Sequence, residues 1–221
     1  MFRALIHIVV PVLLLQLAKA QPKAELAVRF LAQAAPSDLG RVSLAIGDIR
    51  TDAFELPVNN LSLVQKTAAR GFLLWQIDKN RSISQITLPE DGQSFIVLLL
   101  LSPKGGYSPV VMRADDPNFK PGDIYFHNNS PKSVVGYVGT SKFLIRPAQG
   151  TVVRPAGTRA EKFYDVGIGV REETGDRVLT TTRWPEDPMS RFYVFFYVDP
   201  VTQLVAYRAV DEFVPPVAPK P

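Results

Sequence analysis

Leu88-Pro89-Glu90-Asp91 leads into Ser94-Phe95-Ile96-Val97-Leu98-Leu99-Leu100, and 96 positions later Trp184-Pro185-Glu186-Asp187 leads into Arg191-Phe192-Tyr193-Val194-Phe195-Phe196-Tyr197. Each apolar run is followed by a proline turn, at Pro103 or Pro200. The chain then re-enters as Val110-Val111-Met112-Arg113-Ala114-Asp115-Asp116 or as Val205-Ala206-Tyr207-Arg208-Ala209-Val210-Asp211. Phe119 and Phe213 close the two blocks. Upstream, Phe30 answers Phe126, Ile46-Gly47 answers Val138-Gly139, Leu56-Pro57 answers Arg146-Pro147 and Phe72 answers Phe163. Landmarks repeating in one order over a whole unit indicate an internal duplication.

Each unit reads as β structure. Runs rich in Val, Ile, Phe, Tyr and Thr alternate with Pro, Gly, Asp and Asn clusters. The first unit offers strands at Leu26–Leu31, Val42–Ile46, Phe54–Leu56, Leu61–Gln65, Phe72–Ile77, Ile83–Leu88, Ser94–Leu101 and Val110–Arg113. The second offers Ile124–His127, Ser133–Val138, Lys142–Arg146, Thr151–Arg154, Phe163–Val170, Arg177–Arg183, Phe192–Val198 and Gln203–Arg208. This spacing predicts an all-β chain of two tandem immunoglobulin-like β-sandwich units. The units are placed at 21–119 and 120–213, with Asn118 to Gly122 as the junction. Only Leu61 to Leu74 is ambiguous with a helix. Val214 to Pro221 holds four prolines and reads as an extended tail without a packed role.

Residues 1–20 read as a secretory signal peptide. Arg3 supplies the positive end, Leu5 to Leu17 the apolar stretch, and Ala18-Lys19-Ala20 the small-x-small cleavage pattern. The stretch is short and broken for a span of about 20 apolar residues, so no stable membrane span is expected after cleavage. The expected location is periplasmic or extracellular. Cleavage leaves 23 basic and 21 acidic residues out of the 25 and 21 of the whole chain. These charges are interspersed, without the basic stripe that a nucleic-acid surface needs. The chain has no cysteine, so its stability must come from the apolar core. That composition suits a bacterial envelope protein.

The residue inventory bears on chemistry. The mature chain holds one histidine, His127, next to Asn128, Asn129 and Ser130, and it reads as a polar residue at a strand end. A Ser-His-Asp triad would need it as the base, and a zinc site would have to combine it with carboxylates alone. Gly167-Ile168-Gly169 lacks the third glycine and the helix of a dinucleotide fingerprint. The acidic pairs Glu90-Asp91 and Glu186-Asp187 recur at equivalent turns, as do Asp115-Asp116 and Asp211-Glu212. Neighbouring residues on a turn point apart, whereas glycoside hydrolysis needs two carboxyl groups facing one bond. Pro-Glu-Asp is therefore read as turn chemistry. No catalytic residue, metal ligand or cofactor is assigned.

Aromatic residues set the second unit apart: 14 Phe, Tyr and Trp fall between Tyr125 and Phe213, against seven in residues 21–119. Alternation puts Tyr193, Phe195 and Tyr197 on one strand face. With Trp184 they form the candidate partner or carbohydrate surface, able to grip a protein or stack on sugar rings. A continuous apolar run also describes a strand covered on both sides, and packing of the two units against each other would bury both runs at once. The expected role is non-catalytic binding or scaffolding in the bacterial envelope through a protein partner, with a polysaccharide ligand as an alternative.

The chain also resembles the periplasmic pilus-assembly chaperones in size, export and two immunoglobulin-like domains. Asn128-Asn129-Ser130, the strand from Phe143 to Pro147 and Leu88-Pro89-Glu90-Asp91 echo elements of that family's first domain. Here the echoes are spread over both units, and the family's paired basic anchors have no assigned positions. The resemblance implies a chaperone-like role, which requires an open apolar edge strand to accept a client strand.

Overall fold

A computed structural model describes residues 25–102 and 104–215; the expected signal peptide and residues 216–221 of the tail lie outside the described residues. Sixteen strands fall into two sets of eight. The first set is β1 (Leu26–Ala32), β2 (Val42–Ile46), β3 (Ile49–Arg50), β4 (Gln65–Thr67), β5 (Gly71–Gln76), β6 (Arg81–Thr87), β7 (Ser94–Leu101) and β8 (Tyr107–Arg113). The second is β9 (Ile124–Asn128), β10 (Val134–Val138), β11 (Ser141–Ile145), β12 (Gln149–Val153), β13 (Phe163–Glu172), β14 (Gly175–Pro185), β15 (Ser190–Val198) and β16 (Val205–Phe213).

Each set makes two four-stranded sheets. The orders are β4-β1-β7-β8 with β3-β2-β5-β6, and β12-β9-β15-β16 with β11-β10-β13-β14. Adding eight to every label of the first unit reproduces the second. The single parallel pair recurs, β1 with β7 and β9 with β15. So does a bulge in the fifth strand's pairing with the sixth, between Leu74 and Trp75 and between Ile168 and Gly169. The expected tandem sandwiches are thus present. Their connectivity is distinctive, because the first strand pairs with the fourth and seventh, whereas in an antibody domain it pairs with the second.

Three expectations shift locally, the first being the fourth strand, which is expected at Leu61–Gln65 and lies at Gln65–Thr67. The third strand is Ile49–Arg50, and Phe54 contributes only one bridge, to Val42. Gly47, at φ 57, turns the chain back at once, so the hairpin partner of β2 comes earlier. By ladder position Phe72 corresponds to Val166, two residues before the shared bulge, and not to Phe163. The ambiguous window from Leu61 to Leu74 resolves into β4 and the start of β5.

Three apolar cores run through the molecule. Val28, Phe30, Val97 and Leu99 meet Leu44, Leu74 and Ile86 inside the first sandwich. Phe126, Val194 and Phe196 meet Val134, Val166 and Ile168 inside the second. A third core joins Leu31, Ile96, Leu98 and Leu100 to Tyr193, Phe195 and Val210. The β1/β7 and β9/β15 sheets therefore face each other, and the molecule is four sheets deep. Both long apolar strands are covered on both faces, which is why neither carries a polar alternation. Each fully buried apolar side chain contributes about 1.5–3 kcal/mol.

Candidate functional site

The seam between the units takes up most of the expected aromatic surface. Tyr193 and Phe195 are 3% and 2% exposed, so they are not an open face for a protein or a sugar. The outward side of β15 lies against the first unit, and strand alternation sends both rings into it. Tyr197 is half-buried at the margin, its ring 6.1 Å from Phe195. The Tyr193 hydroxyl donates to Glu212 at 2.6 Å, and Arg191 donates to the same carboxylate at 2.7 and 3.1 Å. Arg29 of the first unit completes an ion pair with Glu212. Arg191 also donates to the Ala114 carbonyl and lies 5.0 Å over the Phe119 ring. Burial pushes the Tyr193 hydroxyl up to about 12, against the pull of Arg191 and Arg29. At another point of the seam, Arg208 donates to the carbonyls of Gln33 and Val58, both at 2.8 Å. These groups join the units. They are closed to a ligand.

His127 is also in the seam. It is buried, its ring stacks on Tyr125 at 6.5 Å, and Nδ1 has no hydrogen-bond partner. It lies at the end of β9, as read from its neighbours, but within the strand and enclosed by the seam rather than in a turn. Burial depresses its pKa. Asn128 beside it is fully enclosed, donating to the carbonyls of Lys132 and Ile145 and accepting from Ser130.

Trp184 lies apart, at the end of the second sandwich where β9 and β15 begin and β14 ends. It is half-buried, 6.5 Å from the Phe126 ring, and it walls a cavity of about 180 Å³ with Tyr164, Phe192 and Ile124. Pro121, Pro155, Pro185 and Pro188 line the remainder. Its acids are occupied. Asp123 accepts from Arg154 Nε and Nη2 at 2.8 Å each and from the Lys120 N–H at 2.9 Å. Burial alone would raise the Asp123 carboxyl, but the guanidinium and the N–H outweigh it and hold it below the usual range. Asp187 caps a turn by accepting from the Met189 N–H at 2.8 Å and is held low, chiefly by its hydrogen bond with Ser190. Glu186 sits 3.4 Å from Lys162. A general acid needs the opposite shift. At the matching corner of the first unit, Arg70 lies 5.8 Å over Phe95 and donates to the carbonyls of Pro89 and Gly92.

The outer sheet of the second unit holds the residues that sequence reasoning missed. Along the middle strand β13, the outward positions opposite β10 are Gly167 and Gly169, paired with Tyr137 and Val135. The Tyr137 ring lies over Gly167, so close that a β-carbon there would sit 2.4 Å from it. Around this ring lie two shallow troughs of about 370 and 400 Å³, edged by Thr181, Val178, Lys142 and Asp165. Tyr137, Leu144 and Val178 are 38%, 47% and 68% exposed. The first unit has Leu73 and Trp75 where the second has these glycines, opposite the buried Ala45 and Ser43. Trp75 is covered by the Arg50 guanidinium at 4.5 Å and donates to Asn80 at 3.2 Å. The signal in the sequence was Gly167-Ile-Gly169, which has meaning only beside Leu73-Leu-Trp75.

Among the described residues, no group of three or more His, Cys, Asp and Glu is placed to hold a metal ion. Among the described residues no helix is long and apolar enough to cross a membrane. No family model matches the chain, and no curated protein matches its sequence.

Proposed function

We propose that the chain is an exported, non-catalytic binding or scaffolding protein of the bacterial envelope, acting through protein–protein contact made by the outer sheet of its second unit. The observation that carries this reading is the bare centre of that sheet. Gly167 and Gly169 leave two outward positions of β13 without side chains, under the Tyr137 ring and beside the exposed Leu144 and Val178. Glycine inside a strand weakens it and often marks a close approach by another group. The inner sheets are occupied by each other, so rigid outer faces remain for contact. Export rests on the residue pattern of positions 1–20.

The test is site-specific photo-crosslinking in the producing cell. A crosslinking residue at Val178 or Leu144 should yield discrete protein adducts that disappear when Tyr137→Ala is added. Adducts that ignore Tyr137→Ala, or that form equally from the exposed Ile49 of the first unit, would sink the proposal. A polysaccharide ligand is favoured by one feature, a tyrosine ring lying over glycine with Thr181 and Asp165 beside it. Retardation in polysaccharide-containing gels that is lost with Tyr137→Ala, without protein adducts, would select that alternative.

A further inference from the structure

Each sheet has two edge strands: β4 and β8, β3 and β6, β12 and β16, β11 and β14. An open strand edge presents free N–H and C=O groups, and folded chains blunt it by shortness, proline, charge or cover. β3 and β4 have two and three residues, β8 carries Pro109, and β16 carries Arg208, Asp211 and Glu212. β11 and β12 lie against each other, with the Ser141 hydroxyl donating to the Arg154 carbonyl just past β12. β6 is covered by the turn before β8. There Gly106 comes so close that a β-carbon would sit 2.4 Å from the Ile83 carbonyl oxygen.

β14 has no such cover. Ile83 is the residue that the shared bulge adds to β6, and Leu179 holds that place in β14. By ladder position the counterpart of Gly106 is Leu204, which is 55% exposed and whose side chain bars the same approach. β14 runs for eleven residues, and Val178 to Thr182 has no charge, proline or glycine.

The free edge is self-complementary. Asp165 accepts from the Gly139 N–H and Arg171 donates to the Ser133 carbonyl, so both turn their backbone groups away from β14. Alternation turns Val166, Ile168 and Val170 toward it, where they meet Thr182, Thr180 and Arg177. Asp176, Val178, Thr181 and Arg183 therefore point their N–H and C=O groups outward, and among the described residues no backbone hydrogen bond reaches them. The bulge makes these four symmetric about the Leu179–Thr180 peptide. A two-fold axis there sets Thr181 opposite Val178 of a second copy, and Arg183 opposite its Asp176. Within one copy Arg171 donates to Asp176 at 3.0 Å and Arg183 lies 3.5 Å from Asp165. Pairing keeps both contacts and extends them into a row of alternating charge across the two copies, which favours this register. It also covers Val178, now 68% exposed.

We propose that β14 is an interaction edge for a second copy of this chain, the two β14 strands pairing antiparallel about the Leu179–Thr180 peptide. The two outer sheets then form one continuous sheet, with both Gly167/Gly169 centres on the same face. Such a closed two-fold contact uses one patch twice. It involves the edge, so it stands or falls separately from the partner contact proposed for the face.

Light scattering of the purified chain should show a mass rising with concentration to twice that of the monomer. Thr181→Pro should abolish the dimer. It removes an outward N–H and costs no bond to β13, so far-UV circular dichroism should be unchanged. Because the chain has no cysteine, Val178→Cys with Thr181→Cys supplies the only thiols. Opposed residues lie about 5.5 Å apart at Cα, within disulfide reach, so mild oxidation should trap a covalent dimer. Thr181→Cys alone should not. If the proline variant unfolds, the cysteine pair still tests the register. A chain that is monomeric at every concentration overturns the proposal, as does a folded proline variant that still dimerises. Equal trapping by Thr181→Cys alone, or growth beyond the dimer, overturns the two-fold register. Self-adducts from a crosslinker at Val178 carry twice the chain's mass and are read apart from adducts to another protein.

Discussion

At the same step of the ladder, beside the same bulge, the first sandwich has Leu73 and Trp75 and the second has Gly167 and Gly169. Across from them the sizes reverse, with Ala45 and Ser43 in one unit and Tyr137 and Val135 in the other. Strand order, parallel pair and bulge have survived duplication, while the outer surface has been rebuilt. The first unit closes its outer sheet with its own tryptophan and an arginine lid. The second leaves a ring on glycine and an open trough. Inner faces show the opposite pattern, since both units carry a continuous apolar strand that the partner unit covers. Features common to both halves therefore hold the molecule together, and the differences lie where the partner contact is proposed.

The strongest test of that division removes the hub of the seam. Glu212→Ala leaves Arg29 and Arg191 without their shared carboxylate in a buried place, at a cost of about 3–5 kcal/mol. Urea unfolding followed by near-UV and far-UV signals should show the loss, and the transition should split as the units separate. A loss below about 1 kcal/mol would mean that the apolar contacts alone join the sandwiches.

How much of this was legible depends on the range of the interaction. The apolar strand from Phe192 to Val198 has no polar face, and that alone argued for cover on both sides. Most strands of each unit could be placed because proline and glycine turns separate them, although the fourth lies past its expected position at Leu61–Gln65. The third strand was misplaced because Phe54 looks like a strand residue, while the tight turn at Gly47 had already fixed the hairpin. The burial of His127 at its strand end had no local signal for a related reason. Its neighbours Asn128 and Ser130 are polar, but they bond inward to each other and to the backbone. Nothing local announces that Glu212 meets Arg29 from the other end of the chain. Tyr137 was visible as an aromatic, but its role depends on the strand pairing that lays it over Gly167.

A second test uses pH to separate seam from surface. Burial depresses His127 from its ordinary value of 6.5. The unfolded chain binds this proton near 6.5, and the folded chain only at lower pH. Stability is therefore full above that value and is lost as pH falls toward the folded pKa, by at most about 1.4 kcal/mol per pH unit. Tyr125 and Tyr193, beside it in the seam, are raised by burial and do not titrate in this window. Asp123 and Asp187 are held low, so their contribution disappears only below the ordinary carboxylate value of 3.8. Urea midpoints measured from pH 7.5 to 5.0 should fall for the parent chain and stay flatter for His127→Phe. Parallel curves would remove His127 as the cause.

The outer sheets give smaller stability effects with opposite functional weight. Trp75→Ala removes a half-buried ring, its contact with Arg50 and its bond to Asn80, for about 1–2 kcal/mol. Tyr137→Ala, on an exposed ring, should cost less than ~1 kcal/mol. If the second unit is the contact face, crosslinking should survive the first change and vanish with the second. The reverse outcome would move the contact to the first unit.

The finest test keeps the tyrosine and moves it. In Gly167→Ala the new methyl would sit 2.4 Å from the Tyr137 ring, and the ring is the mobile member of that pair. Gly167 lies in an extended strand where alanine is at no backbone disadvantage, so stability should change by no more than ~1 kcal/mol. The ring must swing away, and its seat over Gly167 is lost. If partner contact depends on that seat, Gly167→Ala should weaken crosslinking as much as Tyr137→Ala does, although the aromatic remains. Full crosslinking in Gly167→Ala would show that the tyrosine contributes as a detachable side chain, and the bare centre of β13 would no longer explain the difference between the two sandwiches.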